Sequence, residues 1–159
     1  MELKRAEKRF KLTTRDYAEL AAFRRALRGF LHFSEAAAAR VGLSGRHYQV
    51  MLVLRGWPEG RAVTINDLAQ QLYIKHNSAV GLVDRLVEGG FIGRALASAD
   101  RRKVELHLTL RGRQVLAQLA AMHRTELKRI GPNFKDFFIE LQAPARRRRR
   151  SERRGHRHA

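Results

Sequence analysis

Two short stretches concentrate the side chains able to make directional polar contacts: Lys75-His76-Asn77-Ser78, followed by a bare Gly81, and Asp100-Arg101-Arg102-Lys103. Neither holds the parts of a covalent mechanism. There is no cysteine to act as thiolate or soft metal ligand, and no Gly-x-Ser-x-Gly, His-Glu-x-x-His, P-loop or Rossmann glycine pattern anywhere in the chain. The acids are few and scattered among cations, so no enzyme is expected. What these residues can do is hydrogen-bond and pair with charge. Asn77, Ser78 and His76 suit base edges or phosphate oxygens equally, and Gly81 permits close approach of a surface. Three consecutive cations on a hairpin suit a narrow, electronegative minor groove. Asp100, two residues before Arg102, can hold that guanidinium and aim it.

The elements that must position them can be read from periodicity. Residues 75–90 follow helical spacing, with Ala79, Val83, Leu86 and Gly90 as one apolar stripe and Asn77, Gly81, Asp84, Arg85 and Glu88 opposite. The outer face is polar in two different senses along its length. Its N-terminal half is cationic or neutral, and its C-terminal half carries both acids, so only the N-terminal end could approach phosphates without repulsion. That is the polarity of a recognition helix entering a groove N-terminus first; Asp84 and Arg85 read as structural. Before it, Thr64-Ile65-Asn66-Asp67 is a capping box opening a short helix to about Leu72, and Tyr73-Ile74-Lys75 is the turn between the two. After it the period changes to 2: Phe91–Leu96 and Lys103–Leu108 read as strands joined by the tip at 97–102, with Val104, Leu106 and Leu108 on one face. Arg61-Ala62-Val63 could add a very short strand. A helix–turn–helix followed directly by a basic two-stranded ribbon describes a winged helix-turn-helix.

Long helices flank this lobe. One starts at Thr13 or Thr14, with Asp16 in its first turn, and Gly42 stops it. Its length of about 25 residues exceeds what a small core requires, and such surplus apolar length often packs against a second subunit. A second helix is capped by Ser44 and broken at Gly56-Trp57-Pro58-Glu59-Gly60. The last long helix is expected from Leu110 to Ile130, terminated by Gly131-Pro132, with a short final helix carrying Phe134, Phe137, Phe138 and Leu141. Those phenylalanines read as core or subunit seam.

Charge points to the same class of partner. Across 159 residues, 33 Lys and Arg against 15 Asp and Glu give +18, which argues for a polyanion, nucleic acid first and an anionic membrane second. The tail from Gln142 holds eight Arg and one Glu, so the remainder of the chain is still strongly basic. No apolar run could cross a bilayer and the N-terminus is charged where a signal peptide is apolar; no membrane association and a cytoplasmic location are expected.

Residues 64–116, TINDLAQQLYIKHNSAVGLVDRLVEGGFIGRALASADRRKVELHLTLRGRQVL, closely resemble the DNA-binding lobe of the multiple-antibiotic-resistance regulator (MarR) family. The specific pieces are AVGLVDRLVEGGFIGR, the wing ADRRKVELHLT and the following LTLRGRQVL. The wing departs from the family pattern: an additional Asp and Arg often precede the Asp-Arg-Arg, where this chain has Ala97-Ser98-Ala99. The resemblance covers about 13–141 and implies a mainly α fold with a small β-wing. A winged helix-turn-helix lobe at about 43–109 would be flanked by dimerisation helices at about 13–41 and 110–141. A flexible basic arm at 1–12 and a disordered arginine-rich tail at 142–159 lie outside it. It implies a sequence-specific transcriptional regulator, a homodimeric repressor on a pseudo-palindromic double-stranded operator, released by a small phenolic or other anionic effector. The alternative from charge alone is an architectural protein coating any duplex.

The site expected on these grounds is Lys75, His76, Asn77, Ser78, Gly81, Arg94, Arg101, Arg102 and Lys103 on DNA, with Asp100 orienting the wing. His32, Glu35, His47 and Tyr48 fall where the family's effector cleft would lie. Ordinary hydrogen-bonded histidines are the expectation there rather than a metal site, and no cofactor is expected. His107 and His123 have no partner identifiable from sequence. The run Arg146–Arg150 reads as a non-specific nucleic-acid anchor or a solvated extension.

Overall fold

The computed structural model describes residues 12–96 and 104–142. It comprises five helices and one hairpin: α1 (Thr14–Ala39), α2 (Gly45–Gly56), α3 (Ile65–Gln71), α4 (His76–Glu88), β1 (Ile92–Leu96), β2 (Val104–Leu108) and α5 (Leu110–Gln142). The arm before Leu12, the wing tip at 97–103 and the tail after Gln142 lie outside the described residues, and with them Asp100, Arg101, Arg102 and Lys103.

Local sequence accounts for where most helices begin. Ser44 and Thr64 head complete capping boxes on α2 and α3: each hydroxyl accepts from the backbone N–H three residues on, and the side chains of His47 and Asp67 accept in return from the capping residue's N–H. Thr13 and Asp16 exchange the same pair of bonds at the head of α1. Three helices end alike. In each, a residue at positive φ lets two N–H groups fold back onto the last carbonyls, a Schellman closure. Gly42 (φ 74) and Gly90 (φ 70) do this for α1 and α4. Tyr73 (φ 52) does it for α3, its N–H donating to the Gln70 carbonyl and that of Ile74 to Ala69. A non-glycine residue there carries roughly 1 kcal/mol of backbone strain.

Contacts divide the chain into two compact units. Residues 31–125 form the lobe. Its core gathers Ala37 and Ala38 of α1; Tyr48, Val50 and Met51 of α2; Leu68 of α3; Val83 and Leu86 of α4; Ile92, Leu106 and Leu108 of the hairpin; and Leu116 and Leu119 of α5. The lobe therefore takes in the end of α1 and the beginning of α5 as well as 43–109. The hairpin is antiparallel, with Ile92 opposite Leu108, Gly93 opposite His107 and Arg94 opposite Leu106. The expected extra strand at 61–63 does not form. Only the Val63 carbonyl joins, accepting from Leu106 N–H at 3.3 Å.

The second unit contains α1 up to Phe30 and α5 from Glu126. Here Gly131-Pro132 fails to end the helix: α5 runs on to Gln142 with Pro132 inside it, so Phe134, Phe137 and Phe138 belong to α5 and not to a separate helix. A proline in a helix interior removes one hydrogen bond and crowds the preceding turn, at about 3 kcal/mol. The offset is aromatic packing. Phe23 stacks on Phe137 at 4.5 Å between centroids and meets Phe134 edge-on at 5.5 Å. Among the described residues no helix is long and apolar enough to cross a membrane.

Candidate nucleic-acid interface

α4 is amphipathic as its spacing requires. Ala79, Val83 and Leu86 are buried, whereas Lys75, His76, Asn77, Ser78 and Gly81 are all exposed. Gly90 leaves the apolar stripe expected of it, because its left-handed backbone places it, exposed, in the closure of the helix. The space over Gly81 is open, with no atom within 4 Å of where a Cβ would stand. Unlike α1, α2 and α3, α4 has no side-chain cap: Lys75 occupies the capping position, and there is no acid in the first turn. The free N–H groups and the positive end of the helix dipole therefore face outward beside a lysine.

Two neighbours fix how that end is presented. Across the turn, His76 Nδ1 lies 2.7 Å from Asn66 Oδ1 on α3, which ties the heads of the two helices together. On the other side, Arg94 shares the inward face of β1 with Ile92, and its guanidinium binds Asp84 of α4 at 2.5 Å. Arg94 thus joins the hairpin to α4 through Asp84, on the acidic half of that helix. His107, the partner of Gly93 across the hairpin, lies against that glycine: a Cβ there would stand 2.5 Å from the ring Nε2.

The root of the wing is fastened by Thr109. Its N–H donates to the Phe91 carbonyl at 3.1 Å, its hydroxyl donates to the Gly90 carbonyl at 2.7 Å, and it accepts from Gly112 N–H at 3.0 Å. Gly112 passes so close to Phe91 that an added Cβ would lie 1.9 Å from the carbonyl oxygen.

The four residues placed in an effector cleft have different surroundings. His32 is exposed on α1. His47 is consumed by its capping box; with Nδ1 accepting from Ser44 N–H, the proton sits on Nε2, which is buried without a partner. Burial, followed by the nearby Arg85, holds the His47 pKa below its ordinary value, and Glu35 opposes this more weakly. Tyr48 is buried and stacks on His123 at 4.1 Å, and burial raises its hydroxyl pKa. His123 does have partners: Leu119 carbonyl at 2.7 Å and Ser34 hydroxyl at 2.9 Å. Glu35 alone of the four lines a cavity of about 300 Å³, with Ser34, Arg46, Gln49, Tyr73 and Ile74 among its walls, while its Oε2 accepts from Gly45 N–H. No group of three or more acids, histidines or cysteines among the described residues could hold a metal ion. Sequence reasoning missed Asn66, Tyr73 and the Asp84–Arg94 pair. The first and last act across ten positions, and nothing in the type of Tyr73 announces a left-handed turn.

Residues 41–103 match the model of the MarR family. The HTH-type transcriptional repressor YetL of Bacillus subtilis (strain 168) is 26% identical over 114 residues, covering 69% of this chain and 68% of the relative. Among solved structures, AbsC, a MarR family transcriptional regulator from Streptomyces coelicolor, superposes with a TM-score of 0.63 at 21% identity, over 89% of this chain and 90% of its own. CouR from Rhodococcus jostii RHA1, bound to p-coumaroyl-CoA, does so with a TM-score of 0.60 at 23% identity, over 76% and 89%.

Proposed function

We propose that the protein, a member of the MarR family of winged helix-turn-helix transcriptional regulators, is a homodimeric, sequence-specific repressor released from its operator by a small molecule. The observation that carries this reading is the head of α4. Lys75, His76, Asn77 and Ser78 stand exposed and uncapped at the end of a helix whose other half is acidic and tied to the wing. Such an end offers donors and positive potential to a groove while repelling any other approach. Arg101, Arg102 and Lys103 at the wing tip supply minor-groove or phosphate contacts, with Asp100 orienting Arg102.

Dimerisation rests on apolar surface that the terminal unit leaves uncovered. Tyr17, Leu20 and Leu27 of α1 and Leu127, Phe138 and Ile139 of α5 are each at least 40% exposed. A second copy would cover them and set two recognition helices roughly 34 Å apart, one turn of duplex. The ligand bound to CouR supports an anionic or phenolic effector for this chain too, acting in the cytoplasm, and the cavity beside Glu35 is its candidate seat.

A competition gel shift at physiological salt tests the reading. A preferred duplex should be bound on the order of 10³-fold or more tightly than random DNA. A ratio near one would assign the protein to the architectural class that its +18 charge also suits. Arg101→Ala with Arg102→Ala should abolish operator binding and leave the dimer intact. Asn77→Ala should alter sequence preference more than overall affinity; equal losses on specific and random duplexes would remove Asn77 from base recognition.

A further inference from the structure

The contact between His76 and Asn66 fixes more than a side-chain position. Asn66 Oδ1 is an acceptor, so the His76 Nδ1 facing it at 2.7 Å must carry a proton. In the neutral imidazole the other nitrogen is then bare, and Nε2 is an acceptor. Among the described residues it has no partner, on a side chain exposed at the first position of the recognition helix. The arrangement is built from the backbone upward. The left-handed Tyr73 closes α3 in a single turn, and that tight closure is what lets a residue near the head of α3 reach one at the head of α4.

We propose that Asn66 sets the tautomer of His76, so that His76 reads a hydrogen-bond donor on the major-groove edge of the operator. Two bases present such a donor there, adenine through its 6-amino group and cytosine through its 4-amino group; guanine and thymine present only acceptors at those positions. His76 is thereby a specificity-determining residue for adenine or cytosine at one base pair of each half-site, and Asn66 is its positioning residue. Lys75, which can only donate, would make the complementary choice beside it. This rests on the reading of the head of α4 as the DNA-contacting end.

Selection of full-length protein on a random duplex library, followed by base replacement in the selected site, tests it. Removing only the amino group, by placing purine for adenine or 2-pyrimidinone for cytosine, should cost roughly tenfold in affinity at the position His76 reads. His76→Ala should be indifferent to that replacement, and Asn66→Ala should lose most of the discrimination. Long-range proton–nitrogen spectra of the free protein should show His76 protonated at Nδ1 and bare at Nε2. A preferred guanine or thymine at the position that depends on His76, or the opposite tautomer, overturns the assignment. So does a selected site whose base preferences are untouched by His76→Ala, and that outcome leaves the repressor reading standing. A selection yielding no preferred site overturns both.

Discussion

The lobe of residues 31–125 and the terminal unit built from the start of α1 and the end of α5 treat their apolar surface in opposite ways. In the lobe, five helices and a hairpin contribute to one core in which Met51, Leu68, Val83 and Leu86 are fully enclosed. In the terminal unit Ile130 is enclosed, but a stripe along both helices, from Tyr17 and Leu20 to Phe138 and Ile139, stays open to solvent. The lobe encloses its large apolar side chains; the terminal unit leaves apolar area open, and such area gains roughly 25 cal/mol per Å² when removed from water. The exposed head of α4 therefore belongs to the part that encloses its apolar side chains, and the uncovered stripe to the part that does not.

That contrast can be broken at several points. The largest effect belongs to Gly112→Ala. Backbone, not a flexible side chain, stands where the methyl would go, so the lobe should lose about 3 kcal/mol or more in urea unfolding. An unchanged midpoint would show that the root of α5 is not part of the core. Next, Leu20→Glu with Leu27→Glu should convert dimer to monomer in sedimentation while fluorescence of the lone Trp57, which lies in the lobe, stays native. Loss of the Trp57 signal would mean that the two parts do not fold separately.

A smaller effect comes from His47. Because its pKa is depressed in the fold, the unfolded chain takes up a proton first as pH falls. Its contribution to stability is complete above the ordinary imidazole value of 6.5 and is lost progressively below it. His47→Gln keeps a capping acceptor but cannot titrate, so the difference in urea midpoint between about pH 7.5 and about pH 5.5 should shrink in that variant. An identical pH dependence would exonerate His47. The smallest effect is a gain: Tyr73→Gly releases the left-handed strain and should stabilise the lobe by up to about 1 kcal/mol.

What the sequence made legible was local chemistry. Thr64 with Asp67, Ser44 before α2, and glycines 42 and 90 act within four residues of themselves, and each lies where its type predicts an end of a helix. The period-2 pattern of β2 likewise placed Leu106 and Leu108 on the buried face. The misreadings arose where a distant residue decides. Pro132 reads as a stop until Phe23, more than a hundred positions earlier, stacks on the turns beyond it. His123 reads as unpartnered until Ser34 reaches it from α1, and the Asp84–Arg94 pair likewise lies beyond what any local pattern announces. Helical spacing likewise placed His32, Glu35, His47 and Tyr48 on adjoining helices but could not reveal that a cap engages His47 and a ring stack engages Tyr48.

The fastening of Thr109 and Gly112 to Gly90 and Phe91 has a mechanical consequence. There is no slack between the first turn of α5 and the segment that ends the recognition helix: carbonyl, hydroxyl and bare Cα are in contact at every step. The first turn of α5, the end of α4 and the hairpin are accordingly bonded to one another within the lobe, so a substitution at any of these contacts is felt by the other two.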